Sequence, residues 1–178
     1  MTIGPIFLIG YRCTGKTTTG KYLAKLLGRP FMDTDRLLES SAGTTITRMV
    51  DARGWDYFRR EETRTLLTLD LSSGPVVATG GGIILAQENR RFIRRNGIAV
   101  WLTADAATIM DRLASDTATA DSRPVFTDAS LEQETKNTLN TREPLYRELA
   151  SLTINTADHT PEAAAETIKR ELIKETQK

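Results

Sequence analysis

Hydrophobic positions in this chain fall into two alternating patterns: short unbroken apolar runs, and longer stretches with apolar residues every three or four positions. The runs are Pro5-Ile6-Phe7-Leu8-Ile9, Phe31-Met32, Val76-Val77-Ala78, Ile98-Ala99-Val100-Trp101-Leu102 and Leu152-Thr153-Ile154. They are continuous rather than alternating, as in parallel strands covered by helices on both faces. Between them lie helical patterns. Leu23, Leu26 and Leu27 share one face of a helix predicted over residues 18–27, which Gly28 closes. Residues 55–71 form a longer helix with Phe58, Leu66 and Leu69 as its apolar positions. Another starts near Asp105 and carries Ile109 and Leu113. Ser130-Leu131-Glu132-Gln133 reads as a capping box that opens a helix toward Ala150. Thr160-Pro161-Glu162 supplies the N-cap and first turn of the last helix. Alternating strands and helices with right-handed crossovers predict an α/β fold, a three-layer sandwich forming a single domain over residues 1–178.

Residues 116–129 (DTATADSRPVFTDA) break this rhythm, being polar and weakly periodic between two helices. A loop of this length in a compact domain is either a functional lid or a surface insertion. Arg123-Pro124 favours the lid, since phosphoryl transfer uses an arginine that closes onto phosphate.

Composition narrows the function classes. Lys plus Arg total 24 against 23 Asp plus Glu, so there is no basic footprint for nucleic acid or an anionic membrane. No apolar run approaches a membrane span, and the N-terminus lacks a signal-peptide pattern. One cysteine and one histidine, His159, leave no disulfide framework and no His/Cys metal site, and they suit a reducing compartment. The expectation is a cytoplasmic, monomeric protein without nucleic-acid or membrane partners.

The strongest chemical signal is Gly10-Tyr11-Arg12-Cys13-Thr14-Gly15-Lys16-Thr17, which is G-x-x-x-x-G-K-[ST] between a predicted strand and a predicted helix. Backbone N–H groups in such a loop turn inward around phosphate, and the helix N-terminus adds partial positive charge. Arg12, Cys13, Thr14, Gly15, Lys16 and Thr17 are therefore the candidate ATP-binding run. Lys16 would reach the β- and γ-phosphates, and the Thr17 hydroxyl would ligate Mg²⁺. Asp33-Thr34-Asp35 falls at the end of the second strand, where open α/β sheets bind ligands. In an extended segment the two carboxylates lie on one side, about 6–7 Å apart. One would then hold Mg²⁺ and the other meet the acceptor; a helix cap is the alternative reading of Asp33. Gly80-Gly81-Gly82 follows the third strand and suggests backbone approaching a small polar substrate, or a tight turn. Arg59 and Glu62 sit three apart on a helix and can pair, either to orient the arginine toward a substrate carboxylate or as a solvated ion pair. Arg142 stands beside Pro144, read as interrupting its helix. Arg90, Arg91, Arg94 and Arg95 read as a solvated cationic helix end.

Together these motifs resemble the shikimate kinase family over nearly the whole chain. The P-loop run FLIGYRCTGKTTTGKYLA, the D-T-D ending at Asp35, Phe58-Arg59-Arg60-Glu61-Glu62, Thr79 with the three glycines, Arg123-Pro124 and the Arg142 to Tyr146 run follow in that family's order. The resemblance implies a P-loop kinase of the nucleoside-monophosphate-kinase type, with a five-stranded parallel sheet and a lid. It implies transfer of the ATP γ-phosphoryl group to the 3-hydroxyl of shikimate, with Mg²⁺ at Thr17 and Asp33. Asp35 would be the base, and Lys16 and Arg123 would stabilise charge. Arg59 and Arg142 would hold the shikimate carboxylate, with Gly80 and Gly81 lining that pocket. Arg112 would stack on adenine near the loop of residues 155–160. A gluconate or nucleotide kinase of the same architecture is the nearest rival, and it lacks the glycine run with paired arginines. A GTP-dependent switch would carry N-K-x-D, which is absent. Cys13 departs from the glycine common in relatives. It is either a reactive thiol among P-loop N–H groups or an inert one.

Overall fold

A computed structural model describes residues 4–115 and 131–176. The expected lid over residues 116–129, with its Arg123, and the Ser130 cap lie outside the described residues. Five parallel strands form one sheet: β1 (Ile6–Ile9), β2 (Phe31–Asp33), β3 (Val76–Ala78), β4 (Ile98–Thr103) and β5 (Leu152–Asn155), in the order β2-β3-β1-β4-β5. Strand β1 is central, with Leu8 opposite Ala78 on one side and Val100 on the other.

Alternation along β1 divides the core. Ile6 and Leu8 face α1 (Lys16–Leu27) and α7 (Pro161–Thr176), packing with Leu23, Val100, Ile168 and Leu172. Phe7 and Ile9 face the opposite layer, with Leu66, Val77, Ile93, Trp101 and Tyr146. Both faces are covered, so the central strands are apolar throughout.

Helix α2 (Thr34–Ala42) starts immediately after β2, so Asp35 lies in a first helical turn and not in an extended segment. The alternation argument for the two carboxylates is thereby corrected. Helix α3 (Ile46–Leu67) begins nine residues before the expected start at Trp55, under a Thr45 cap whose Oγ1 accepts from the Arg48 N–H at 3.3 Å. Gly54, at φ 78° and ψ 170°, breaks α3 into two segments, and the second starts where the hydrophobic pattern placed it. A third apolar cluster of Leu38, Ile46, Met49, Val50 and Phe58 joins α2 to α3 and forms one wall of the site. Two shorter helices, α4 (Gln87–Asn96) and α5 (Ala106–Ser115), follow β3 and β4. Helix α6 (Leu131–Leu149) runs through Pro144 without interruption. The proline forgoes only the bond to the Asn140 carbonyl, while Tyr146 and Leu149 one turn on are buried against the sheet. Arg90 is not merely solvated: its Nη1 donates to the carbonyls of Ile84 and Leu85, at 2.6 and 3.1 Å, closing the turn before α4.

Candidate active site

The site lies at the carboxyl edge of the sheet, where β1 hands over to α1. Gly10 has φ 144°, and a Cβ there would stand 2.3 Å from the Leu102 carbonyl oxygen, so only glycine fits beside β4. Gly15 at φ 86° is the N-cap of α1, in the left-handed region that favours glycine. Cys13 takes φ 58°, the left-handed conformation expected if it occupies a glycine position. The loop closes on itself: the Thr14 hydroxyl donates to the Tyr11 carbonyl at 2.8 Å, and Lys16 Nζ donates to the same oxygen at 2.6 Å. Lys16 is 8% exposed, so its charge is concentrated inside the loop.

Asp33 is a helix cap, the alternative reading of its motif, and it also faces the phosphate loop. One oxygen caps α2, accepting from the N–H groups of Asp35 and Arg36 at 3.1 and 3.3 Å. The other accepts the Thr17 hydroxyl at 2.8 Å. A cap thus fixes the carboxylate that faces the phosphate loop.

The glycine run owes its composition mainly to neighbouring side chains. A Cβ on Gly80 would come within 2.7 Å of Asp35 Oδ1 and 2.6 Å of Glu62 Oε1, and one on Gly82 within 2.1 Å of Arg59 Nη1. Gly81 lies against the backbone of the phosphate loop, 3.3 Å from the Arg12 nitrogen by the same measure. Its carbonyl accepts from Tyr146 Oη at 2.5 Å and Arg142 Nη1 at 3.3 Å. Thr34 Oγ1 accepts the Gly80 N–H at 3.1 Å, which ties the run to α2.

These contacts enclose a pocket, the expected acceptor site, between the phosphate loop, α2, α3 and α6. Asp35, Arg59, Glu62, Gly80, Gly81 and Arg142 all line it, together with Trp55 and Phe58. Arg59 donates to Glu62 Oε2 at 2.6 Å, and its guanidinium lies 4.8 Å from the Phe58 ring centroid and 5.4 Å from that of Trp55. Glu62 is 2% exposed, so the pair is not the solvated bridge that spacing alone allowed. Burial raises the Glu62 pKa, the Arg59 charge opposes that rise, and Asp35 adds to it. The periodicity did hold the signal: Phe58, Glu62 and Leu66 recur at four-residue intervals on one buried face.

Arg12, expected with the phosphate loop, also lines this pocket. Arg112 donates to the Cys13 carbonyl at 3.2 Å, to Thr156 Oγ1 at 3.0 Å and to the Thr156 carbonyl at 2.6 Å. It braces the phosphate loop and also lines a separate cleft with Gly15, Thr18, His159 and Pro161. Thr156 and His159, at this cleft, belong to the loop of residues 155–160, and Tyr11 and Tyr146 fall inside quoted motifs, but no motif gave any of the four a role of its own. Thr156 Oγ1 sits 3.1 Å from the carbonyls of both Thr14 and Thr103, a long-range contact no local pattern announces.

A family model described as shikimate kinase matches residues 12–173. The shikimate kinase 2 of Enterobacter sp. (strain 638) is 44% identical over 158 residues, 89% of each chain. The solved structure of shikimate kinase from Acinetobacter baumannii in complex with shikimate superposes with a TM-score of 0.91 at 35% identity, covering 99% of this chain and 97% of its own. A gluconokinase from Sinorhizobium meliloti 1021 reaches a TM-score of 0.58 at 18% identity, which is a likeness of fold alone. Architecture is thus shared with the nearest rival, whereas sequence identity along almost the full length is not, and the chain belongs to the shikimate kinase family.

Proposed function

We propose that this chain transfers the γ-phosphoryl group of ATP to the 3-hydroxyl of shikimate, releasing shikimate 3-phosphate and ADP, a step toward the aromatic amino acids. The observation that carries the reading is the convergence of Asp35, Arg59 and Arg142 on one pocket beside the phosphate loop. Shikimate is a small triol carboxylate. Two guanidinium groups suit its carboxylate, and Asp35 suits one of its hydroxyls.

Each residue then has a task. The loop amides and Lys16 hold the β- and γ-phosphates. Thr17 and Asp33, 2.8 Å apart, are oxygen donors of the kind Mg²⁺ takes alongside phosphate oxygens, so the residues present fit that ion. Bound there, Mg²⁺ would neutralise phosphate charge during transfer. Asp35 accepts the hydrogen bond of the attacking hydroxyl and takes its proton. Glu62 holds Arg59 so that the guanidinium is preoriented for the acceptor carboxylate. Catalysis comes chiefly from alignment and charge stabilisation, because the transferred group needs little covalent assistance. Arg112 in the cleft with His159 and Pro161 supports an adenine seat there, and Arg123 would close over the phosphates from the lid. A cytoplasmic monomer is the form we assign, the single cysteine suiting a reducing compartment.

Arg59→Ala tests the acceptor assignment. Removing a charge-assisted contact of about 1.5–3 kcal/mol should raise the shikimate KM about ten- to hundred-fold and leave the ATP KM nearly unchanged. An unchanged shikimate KM would overturn the carboxylate clamp.

A further inference from the structure

Three arginines line the acceptor pocket, and two of them are accounted for. Arg59 is bonded to Glu62, and Arg142 to the Gly81 carbonyl. Arg12 is different. Its Nε and Nη2 are buried and have no hydrogen-bond partner among the described residues. The guanidinium lies 5.6 Å from the Tyr11 ring centroid, and Arg142 lies 5.9 Å from the same ring. Ring faces hold a cation in place but accept none of its N–H bonds in full. Buried donors left unmade are costly, and more so on a charged group. An adjacent Nε and Nη2 form a fork that matches two oxygens of one oxyanion.

Position selects the oxyanion. Arg12 is the third residue of the loop that begins at Gly10, so its backbone belongs to the phosphate cradle, and the residue also lines the acceptor pocket with Asp35. It therefore stands at the seam between the two subsites, which the transferred group must cross. The acceptor carboxylate is already matched by Arg59 and Arg142, from α3 and α6. We propose that Arg12 is a catalytic residue whose Nε and Nη2 donate to oxygens of the phosphoryl group in transit and then hold the phosphate of the product. In this step the bond from the γ-phosphorus to the β,γ-bridging oxygen breaks, and ADP keeps that oxygen and its electron pair. A bond forms between the γ-phosphorus and the acceptor oxygen, whose proton passes to Asp35. Arg12 gives up no proton in this step.

The inference rests on the acceptor reading above, and one set of titrations separates the two. Calorimetric binding of shikimate and of shikimate 3-phosphate is measured for the full-length wild type, Arg12→Ala and Arg12→Lys, alongside kcat. Arg12→Ala should lose about ten- to hundred-fold in product affinity and a similar factor in kcat, while shikimate affinity stays within about three-fold. Arg12→Lys keeps the charge but not the fork. It should recover part of kcat and still bind product more weakly than wild type, and it serves equally if the alanine variant fails to fold. Equal losses for shikimate and product would overturn the inference, because the arginine would then serve the carboxylate or merely shape the pocket. Undiminished product affinity in both variants would overturn it as well. A wild type that binds neither compound would overturn the acceptor reading itself, and the inference with it.

Discussion

Cys13 shows how a single residue can sit against its own preference. An L-residue at φ 58° costs on the order of 1 kcal/mol or more, and here the loop imposes it because the chain must turn between Gly10 and the N-terminus of α1. The half-buried thiol lies in the phosphate loop, the proposed seat of the nucleotide. Iodoacetamide should therefore inactivate the enzyme and ATP should protect it, as followed by residual activity and the mass of the modified peptide. Equal modification with and without ATP would contradict this. Glu62 gives a second test. Its pKa is raised by burial, so above the ordinary glutamate range the folded chain holds a proton that the unfolded chain has released. Its contribution to stability is full below that range and is lost as pH rises through the raised value. Glu62→Gln should remove this dependence, so wild-type Tm should fall relative to the variant as pH climbs out of the acidic range. Parallel Tm profiles would contradict it. The same variant should raise the shikimate KM, because Arg59 loses the ion pair that orients it.

At the scale of elements, the glycines divide into two kinds that sequence alone does not separate. Gly10 is required by backbone: its φ of 144° and the Leu102 carbonyl leave no room for a side chain, and neither can yield cheaply. Gly82 is required by the far end of a flexible side chain, Arg59. Gly82→Ala should accordingly raise the shikimate KM about ten-fold or more by displacing Arg59, with little change in Tm, whereas Gly10→Ala should lower Tm as well as activity. Matching Tm losses in the two variants would refute the distinction. The triple glycine could be read in advance as significant, but its reason could not, because Asp35, Glu62 and Arg59 come from other elements. Helix α3 teaches the same lesson in reverse. The pattern from Trp55 onward was legible because Phe58, Leu66 and Leu69 keep helical period, while Gly54 and a mixed polar run hid the segment before it. Pro144 misled because its local cost is outweighed by burial of Tyr146 and Leu149, which no window around the proline reveals.

For the whole molecule, unbroken apolar runs made the parallel sheet legible, since burial on both faces erases alternation. Strand order was not, because neighbours in the sheet are set by crossovers between distant segments. The order places β1 centrally, and with it the phosphate loop beside the β3 turn and the β4 edge, so that the proposed ATP and acceptor subsites meet across a few residues. Motifs pointed to these two proposed subsites separately. The side chain of Arg12, which belongs to one by sequence and to the other by position, could be placed only in the folded chain. The central claim is that the pocket built by Asp35, Arg59 and Arg142 selects shikimate as phosphoryl acceptor. It is tested most directly by ADP release with ATP and Mg²⁺ in the presence of shikimate, gluconate or a nucleoside monophosphate, each against a blank without acceptor. Release should depend on shikimate and stay at the blank rate with the other two; release stimulated by gluconate or a nucleoside monophosphate but not by shikimate would contradict this assignment.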